Sequence, residues 1–112
     1  MELEVIHKPW GKEEIIFKND HFVTKRIVIN PHSRLSLQYH QYKVENIVIE
    51  KGRAAILIDD TYHDAFPGQF FLIQPGTIHR FENNTDQEMT LIECSTPELD
   101  DTVRIEDDYN RV

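Results

Sequence analysis

Short runs of alternating apolar and polar residues, cut by turn signals, dominate the chain between residues 21 and 95. HFVTKRIVI, LSLQYH, VENIVIE, AAILID, GQFFLI and MTLIEC place Val, Ile, Leu, Phe and Thr at the spacing expected of strands. The breaks fall at Asn30-Pro31, Lys51-Gly52, Asp59-Asp60, Pro67-Gly68, Pro75-Gly76 and Asn83-Asn84, pairs whose backbone preferences suit turns. The pattern therefore predicts an all-β sandwich or barrel. Tight turns at Gly52 and at Asp59-Asp60, with a short strand around Tyr62, predict a meander through the middle of the chain. Helical periodicity is missing throughout, and only Thr96-Pro97-Glu98 offers a helix start, for a single turn near Pro97 to Asp101.

Within LSLQYH the two faces differ sharply. Leu35, Leu37 and Tyr39 share one side and Ser36, Gln38 and His40 the other, and alternation alone would turn the second side to water. Gln38 and His40 nevertheless point the same way, close enough to share an ion. Glu45 falls on the opposite face if the strand continues straight, so Gln41-Tyr42-Lys43 must turn or bulge to bring its carboxylate back. His79, just after the Pro75-Gly76 turn, is a distant further candidate. His7, His21, His32 and His63 sit in segments that supply no second ligand.

Two charged positions interrupt apolar strands. Lys25 alternates with Val23, Ile27 and Ile29, so it is either an edge-strand charge that discourages aggregation or a functional group on an interior face. Glu93 alternates with Leu91 and faces either a cavity or solvent.

Composition narrows the function classes. At 112 residues the chain is the size of one domain with one core. Twenty acidic against twelve basic side chains, a net charge of −8, argue against general affinity for nucleic acid or anionic membrane. A small anionic substrate requires basic groups gathered locally. The single Cys94 excludes an internal disulfide and a multi-cysteine zinc cluster, and with no apolar leader or membrane-length run the expectation is a soluble, unprocessed, cytoplasmic protein. No Gly-rich phosphate loop supports nucleotidyl transfer. The acidic run ELDDTVRIEDD would by composition be a solvated tail.

Gln38, His40, Glu45 and Gly52 follow the spacing of the first motif of the cupin superfamily, with Gln38 in place of its first His and His32 in place of its leading Gly. Gly68, Gly76, His79 and Asn83 follow the second, with Gln74 in place of a Pro. KPWGKEE, TKRIVINPHSRLSLQ, GTIHRFEN and DTVRIEDDYNR narrow the likeness: nearly the whole chain resembles the C-terminal domain of type II mannose-6-phosphate isomerases, which usually follows a mannose-1-phosphate guanylyltransferase domain.

The resemblance implies a cupin jelly-roll of antiparallel strands with a divalent metal inside. It turns Ser36, Gln38 and His40 inward and makes Gln38, His40, Glu45 and His79 the metal ligands. The same ligand types occur in the zinc site of type I mannose-6-phosphate isomerases, which makes zinc the preferred ion over manganese, cobalt, nickel or iron. It also leaves Leu35, Leu37 and Tyr39 needing cover, for which a homodimer is expected.

The implied activity is interconversion of mannose 6-phosphate and fructose 6-phosphate. Lys25 and Glu93 are the candidates for proton transfer, and Arg34, Lys43, Arg80, Arg104 and Arg111 for the phosphate. Arg104, Asp107, Asp108 and Arg111 are expected to close over or beside the site. Lys43 stands where the family has an Arg and lacks its bidentate geometry, and Asn46-Ile47 replace the family's His-Trp after Glu45. The alternatives are a metal-containing cupin that binds a sugar or sugar phosphate without isomerising it, and a different cupin enzyme such as an epimerase or a dioxygenase.

Overall fold

Two antiparallel sheets face each other in the computed structural model, which describes residues 4–98 and 100–112. In chain order the strands are β1 (Glu4–Lys8), β2 (Gly11–Lys18), β3 (Val23–Ile29), β4 (Ser33–Arg34), β5 (Leu37–His40), β6 (Glu45–Lys51), β7 (Ala54–Ile58), β8 (Thr61–Ala65), β9 (Phe70–Ile73), β10 (His79–Asn83), β11 (Met89–Ser95) and β12 (Thr102–Glu106). The first sheet runs β1-β2-β3-β11-β6-β9 and the second β12-β5-β10-β7-β8, with β4 also on β10. This is the all-β jelly-roll expected from the alternation.

The meander is only half present. Asp59-Asp60 does close a hairpin between β7 and β8, but Gly52 turns a corner from β6 in one sheet to β7 in the other. Its φ is +83°, and a Cβ there would stand 2.9 Å from the Cβ of Met89, so a side chain is excluded both by backbone and by space. Among the described residues of 97–101 there is a bend and a turn but no helix; Leu99 lies outside the described residues.

Sequence alternation did not mark β1, β2, β10 or β12 as strands. β1, β2 and β12 carry charged residues on faces that turn inward, and β10 (HRFEN) is buried at every position. Inward charges in β1, β2 and β12, and burial on both faces in β10, leave no apolar–polar alternation to read. Gly11 begins β2 because a Cβ there would lie 1.9 Å from the Val28 carbonyl oxygen, and the preceding Trp10 is 2% exposed against the core.

The inward rows sort into an apolar end and a charged end. Ile27, Leu91 and Ile49 are neighbours across β3, β11 and β6; further along, Lys25 faces Glu93, and Ser95 faces Glu45. The apolar end joins Ile29, Ile47, Ile56, Ile73, Phe81 and Met89 into one core. Each such side chain contributes roughly 1.5–3 kcal/mol by leaving water. The charged end is left open as a cavity.

The Leu35-Leu37-Tyr39 row is not an exposed face. Between β4 and β5 the strand is interrupted, which lets Leu35 turn into the core at 8% exposure, while Leu37 and Tyr39 are half-buried beside β12. The reasoning from that row to a dimer therefore loses its surface.

Candidate metal centre and cavity

The link between His40 and Glu45 is a passage between sheets. β5 ends at His40 in one sheet, residues 41–44 cross over, and β6 starts at Glu45 in the other. Counting alternation along a single strand does not apply across such a crossing, and the carboxylate returns to His40 from the facing sheet. His79 opens β10, directly across from Gln38 on β5.

The three groups meet in the interior. His40 Nε2 lies 2.9 Å and His79 Nε2 3.0 Å from the same Glu45 oxygen, Oε1, with all three side chains no more than 2% exposed. Burial by itself would raise the Glu45 carboxyl, but the hydrogen bond from His40 and the charge of Lys43 outweigh it and hold the group below the usual carboxylate range. His79 Nδ1 contacts the Thr77 carbonyl at 2.8 Å, and a carbonyl can only accept, so the proton sits on Nδ1. His79 Nε2 is then buried with no aligned hydrogen-bond partner among the described residues.

That arrangement fits a divalent ion. An imidazole lone pair aimed at a carboxylate oxygen is unfavourable, and a cation shared among His40, Glu45 and His79, whose ligand atoms lie within 4.8 Å of one another, relieves it. Mixed nitrogen and oxygen donors suit several transition metals. Gln38 adjoins the three on the cavity wall, and its Oε1 accepts from the Ser36 hydroxyl at 2.7 Å.

The cavity beside these groups measures about 450 Å³. Among the described residues six basic side chains line it against four carboxylates, so a protein of net charge −8 presents a locally cationic pocket. Lys25, Lys43 and Glu93 all belong to the wall, which resolves the orientation of Glu93 inward at 4% exposure. Burial pushes the Lys43 ammonium below its usual range, against the attraction of Glu45. Glu13, invisible to the alternation of β2, accepts from Lys25 Nζ at 2.8 Å and is a site residue the sequence did not single out.

The five basic candidates divide by position. Lys43, Arg104 and Arg111 line the cavity; Arg34 and Arg80 do not. Arg34 is held in a bidentate pair with Asp108 at 2.8 and 2.9 Å. Arg80, next to His79 and therefore on the other face of β10, donates from Nε to the Leu35 carbonyl at 2.9 Å. Arg111 is paired with Asp107, whereas Arg104 Nε is buried with no partner among the described residues. The acidic tail thus supplies part of the wall as β12, rather than a solvated run.

A double-stranded β-barrel with a His-Glu-His cluster at its open end defines the cupin class. Solved structures agree on the fold: a cupin-2 domain from Rhodospirillum rubrum has TM-score 0.80 at 15% identity, covering 93% of this chain and 74% of that one. A sugar phosphate isomerase of the cupin superfamily from Silicibacter pomeroyi has TM-score 0.71 at 22% identity, over 77% and 59% of the two chains.

Residues 2–107 match the family described as Mannose-6-phosphate isomerase C-terminal, and the chain belongs to that family. It is 34% identical over 110 residues to the mannose-1-phosphate guanylyltransferase of Escherichia coli strain K12, covering 96% of this chain and 23% of that protein. The alginate biosynthesis protein AlgA of Pseudomonas aeruginosa is 29% identical over 109 residues, with 95% and 23% covered. This chain spans 23% of the length of these relatives.

Proposed function

We propose that this chain is a metal-dependent aldose–ketose isomerase that interconverts mannose 6-phosphate and fructose 6-phosphate. The observation that carries the reading is the meeting of the His40-Glu45-His79 cluster with a cationic cavity whose wall also holds Lys25 and Glu93. His40, Glu45, His79 and Gln38 would hold the ion, zinc by preference, and when bound it would polarise the sugar oxygens.

The remaining work falls to the chain. Isomerisation removes a proton from C2 and returns one to C1 while the oxygens exchange theirs, so the site needs a group that can both accept and donate. Glu93 and Lys25, with Glu13 against the lysine, are the titratable groups on the wall suited to that shuttle. Arg104, free of any carboxylate among the described residues, offers its guanidinium to the phosphate, and Lys43 and Arg111 add positive charge. A homodimer and a cytoplasmic location belong to the same proposal. If the chain pairs, the apolar edge strand β9, with Phe70 and Leu72 at 72% and 54% exposure, is a better surface than β5.

The test is a coupled assay of mannose 6-phosphate isomerisation with metal-loaded protein and with a His40→Ala variant, alongside elemental analysis. Turnover that depends on His40 supports the isomerase. Metal bound without turnover above the variant leaves a binding cupin, and less than about 0.1 equivalent of metal, with none taken up on titration, removes the site.

A further inference from the structure

The crossover that carries the chain from His40 to Glu45 has its amide hydrogens satisfied from one place. The Asp101 carboxylate accepts from Gln41 N at 3.1 Å through Oδ1, and from Tyr42 N at 2.7 Å and Lys43 N at 2.8 Å through Oδ2. The fourth amide, Val44 N, donates to Thr96 Oγ1 at 3.0 Å, and Thr96 N returns a bond to the Val44 carbonyl at 3.0 Å. A segment lying about sixty residues away in sequence thus stands in for the strand partner that an irregular crossing lacks.

The same segment then runs directly onto the metal cluster. Thr102, which follows Asp101, is the cross-strand partner of His40, and its Oγ1 lies 3.4 Å from His40 Nδ1. Only a carboxylate meets the three amide donors without presenting a hydrogen of its own; an amide in its place has one accepting oxygen and an NH₂ that would oppose a backbone N–H.

We infer that Asp101 is a positioning residue for the candidate metal centre: by gathering the amides of residues 41–43 it sets how Glu45 approaches His40 and His79. The inference rests on the reading of those three residues as ligands. It assigns to the C-terminal segment a role in the centre although no ligand lies there, and it makes ligand geometry depend on how that segment is seated.

Cobalt(II) is a suitable probe because its visible spectrum reports ligand geometry. In Asp101→Asn the affinity for cobalt should fall at least about tenfold and the spectrum should change, since the ligands are no longer held at their spacing. Asn83→Ala is the control for stability alone: its amide ties Ile29, Asn30 and Gln87 on another part of the fold, and it should leave cobalt affinity unchanged. Asp101→Glu, which keeps the charge on a longer arm, should recover part of the affinity and serves if the Asn variant does not fold. Cobalt affinity and spectrum in both Asp101 variants within about twofold of the parent would overturn the assignment.

A metal-free measurement separates this inference from the metal reading. In apo Asp101→Asn the amides of residues 41–43 should exchange faster by about tenfold, and the ring nitrogen signals of His40 and His79 should move, while Ile47 and Ile49 in the core keep their protection. If the parent takes up no cobalt, the metal reading fails, but unchanged ring signals would still refute the role of Asp101 and shifted ones would still support it.

Discussion

Lys25 and Glu93 stand directly opposite each other on β3 and β11, yet each has its closest charged contact elsewhere: Lys25 Nζ donates to Glu13 at 2.8 Å, and Glu93 lies 3.9 Å from Lys43 Nζ. Four charges of alternating sign therefore line one wall of the cavity. Lys25 and Glu13 keep only 11% and 14% of their side-chain surface exposed, so neither is screened as a surface pair would be.

If this wall moves the proton, Lys25→Met should lower kcat by about a hundredfold or more, within the range general acid–base groups contribute, while metal content stays at the parent level. Glu13→Gln, which leaves the lysine in place but removes its partner, should lower kcat less and displace the pH–rate profile. Steady-state kinetics across pH on metal-loaded protein checks both. A Lys25→Met enzyme with parental kcat would exclude this wall from proton transfer.

Arg104 should behave as the phosphate anchor because the other cavity arginine, Arg111, is already engaged by Asp107. A charged hydrogen bond is worth about 1.5–3 kcal/mol, so Arg104→Ala should reduce kcat/KM for the sugar phosphate by about ten- to a hundredfold, mostly through KM. Arg104→Lys should recover part of this without the bidentate fork. Residual activity on the unphosphorylated sugar should be unaffected. An equal loss on both substrates would place Arg104 in the architecture of the wall instead.

Acid should loosen the C-terminal part of the wall. The hydrogen bond from Arg111, working against burial, pulls the Asp107 carboxyl down to about 2 from an ordinary 3.8. Because the folded value lies below the unfolded one, this carboxylate's contribution is fully present above about pH 4 and is lost as pH falls through about 2. Denaturant unfolding at several pH values in that window should show a shallower acid limb for Asp107→Asn than for the parent. Superimposable limbs would mean that the pair does not couple to folding.

Much of the candidate ligand set was legible through the resemblance to two cupin motifs, and not through alternation alone. His40, Glu45 and His79 were recognisable through two short motifs, and each does reach the same buried point. The parity objection to Glu45 was sound along one strand and fails only because residues 41–44 change sheets. Glu13 left no such trace. Its strand reads GKEEIIFK, in which an inward carboxylate looks like any exposed one.

Strand-forming alternation, turn chemistry and ligand spacing are local properties, and the chain alone determined them: an all-β barrel, its main turns and the residue types able to hold a metal. Tertiary structure decided which charges share the cavity. Alternation assigns a side chain to one of two faces but says nothing of which strand lies across from it, so Arg104 and Arg34, both in family-like segments, ended respectively at the cavity wall and in an ion pair with Asp108. The same holds for Asp101. Its hold on the crossover joins residues about sixty positions apart, and no period in the sequence encodes a contact made only when two sheets close on each other.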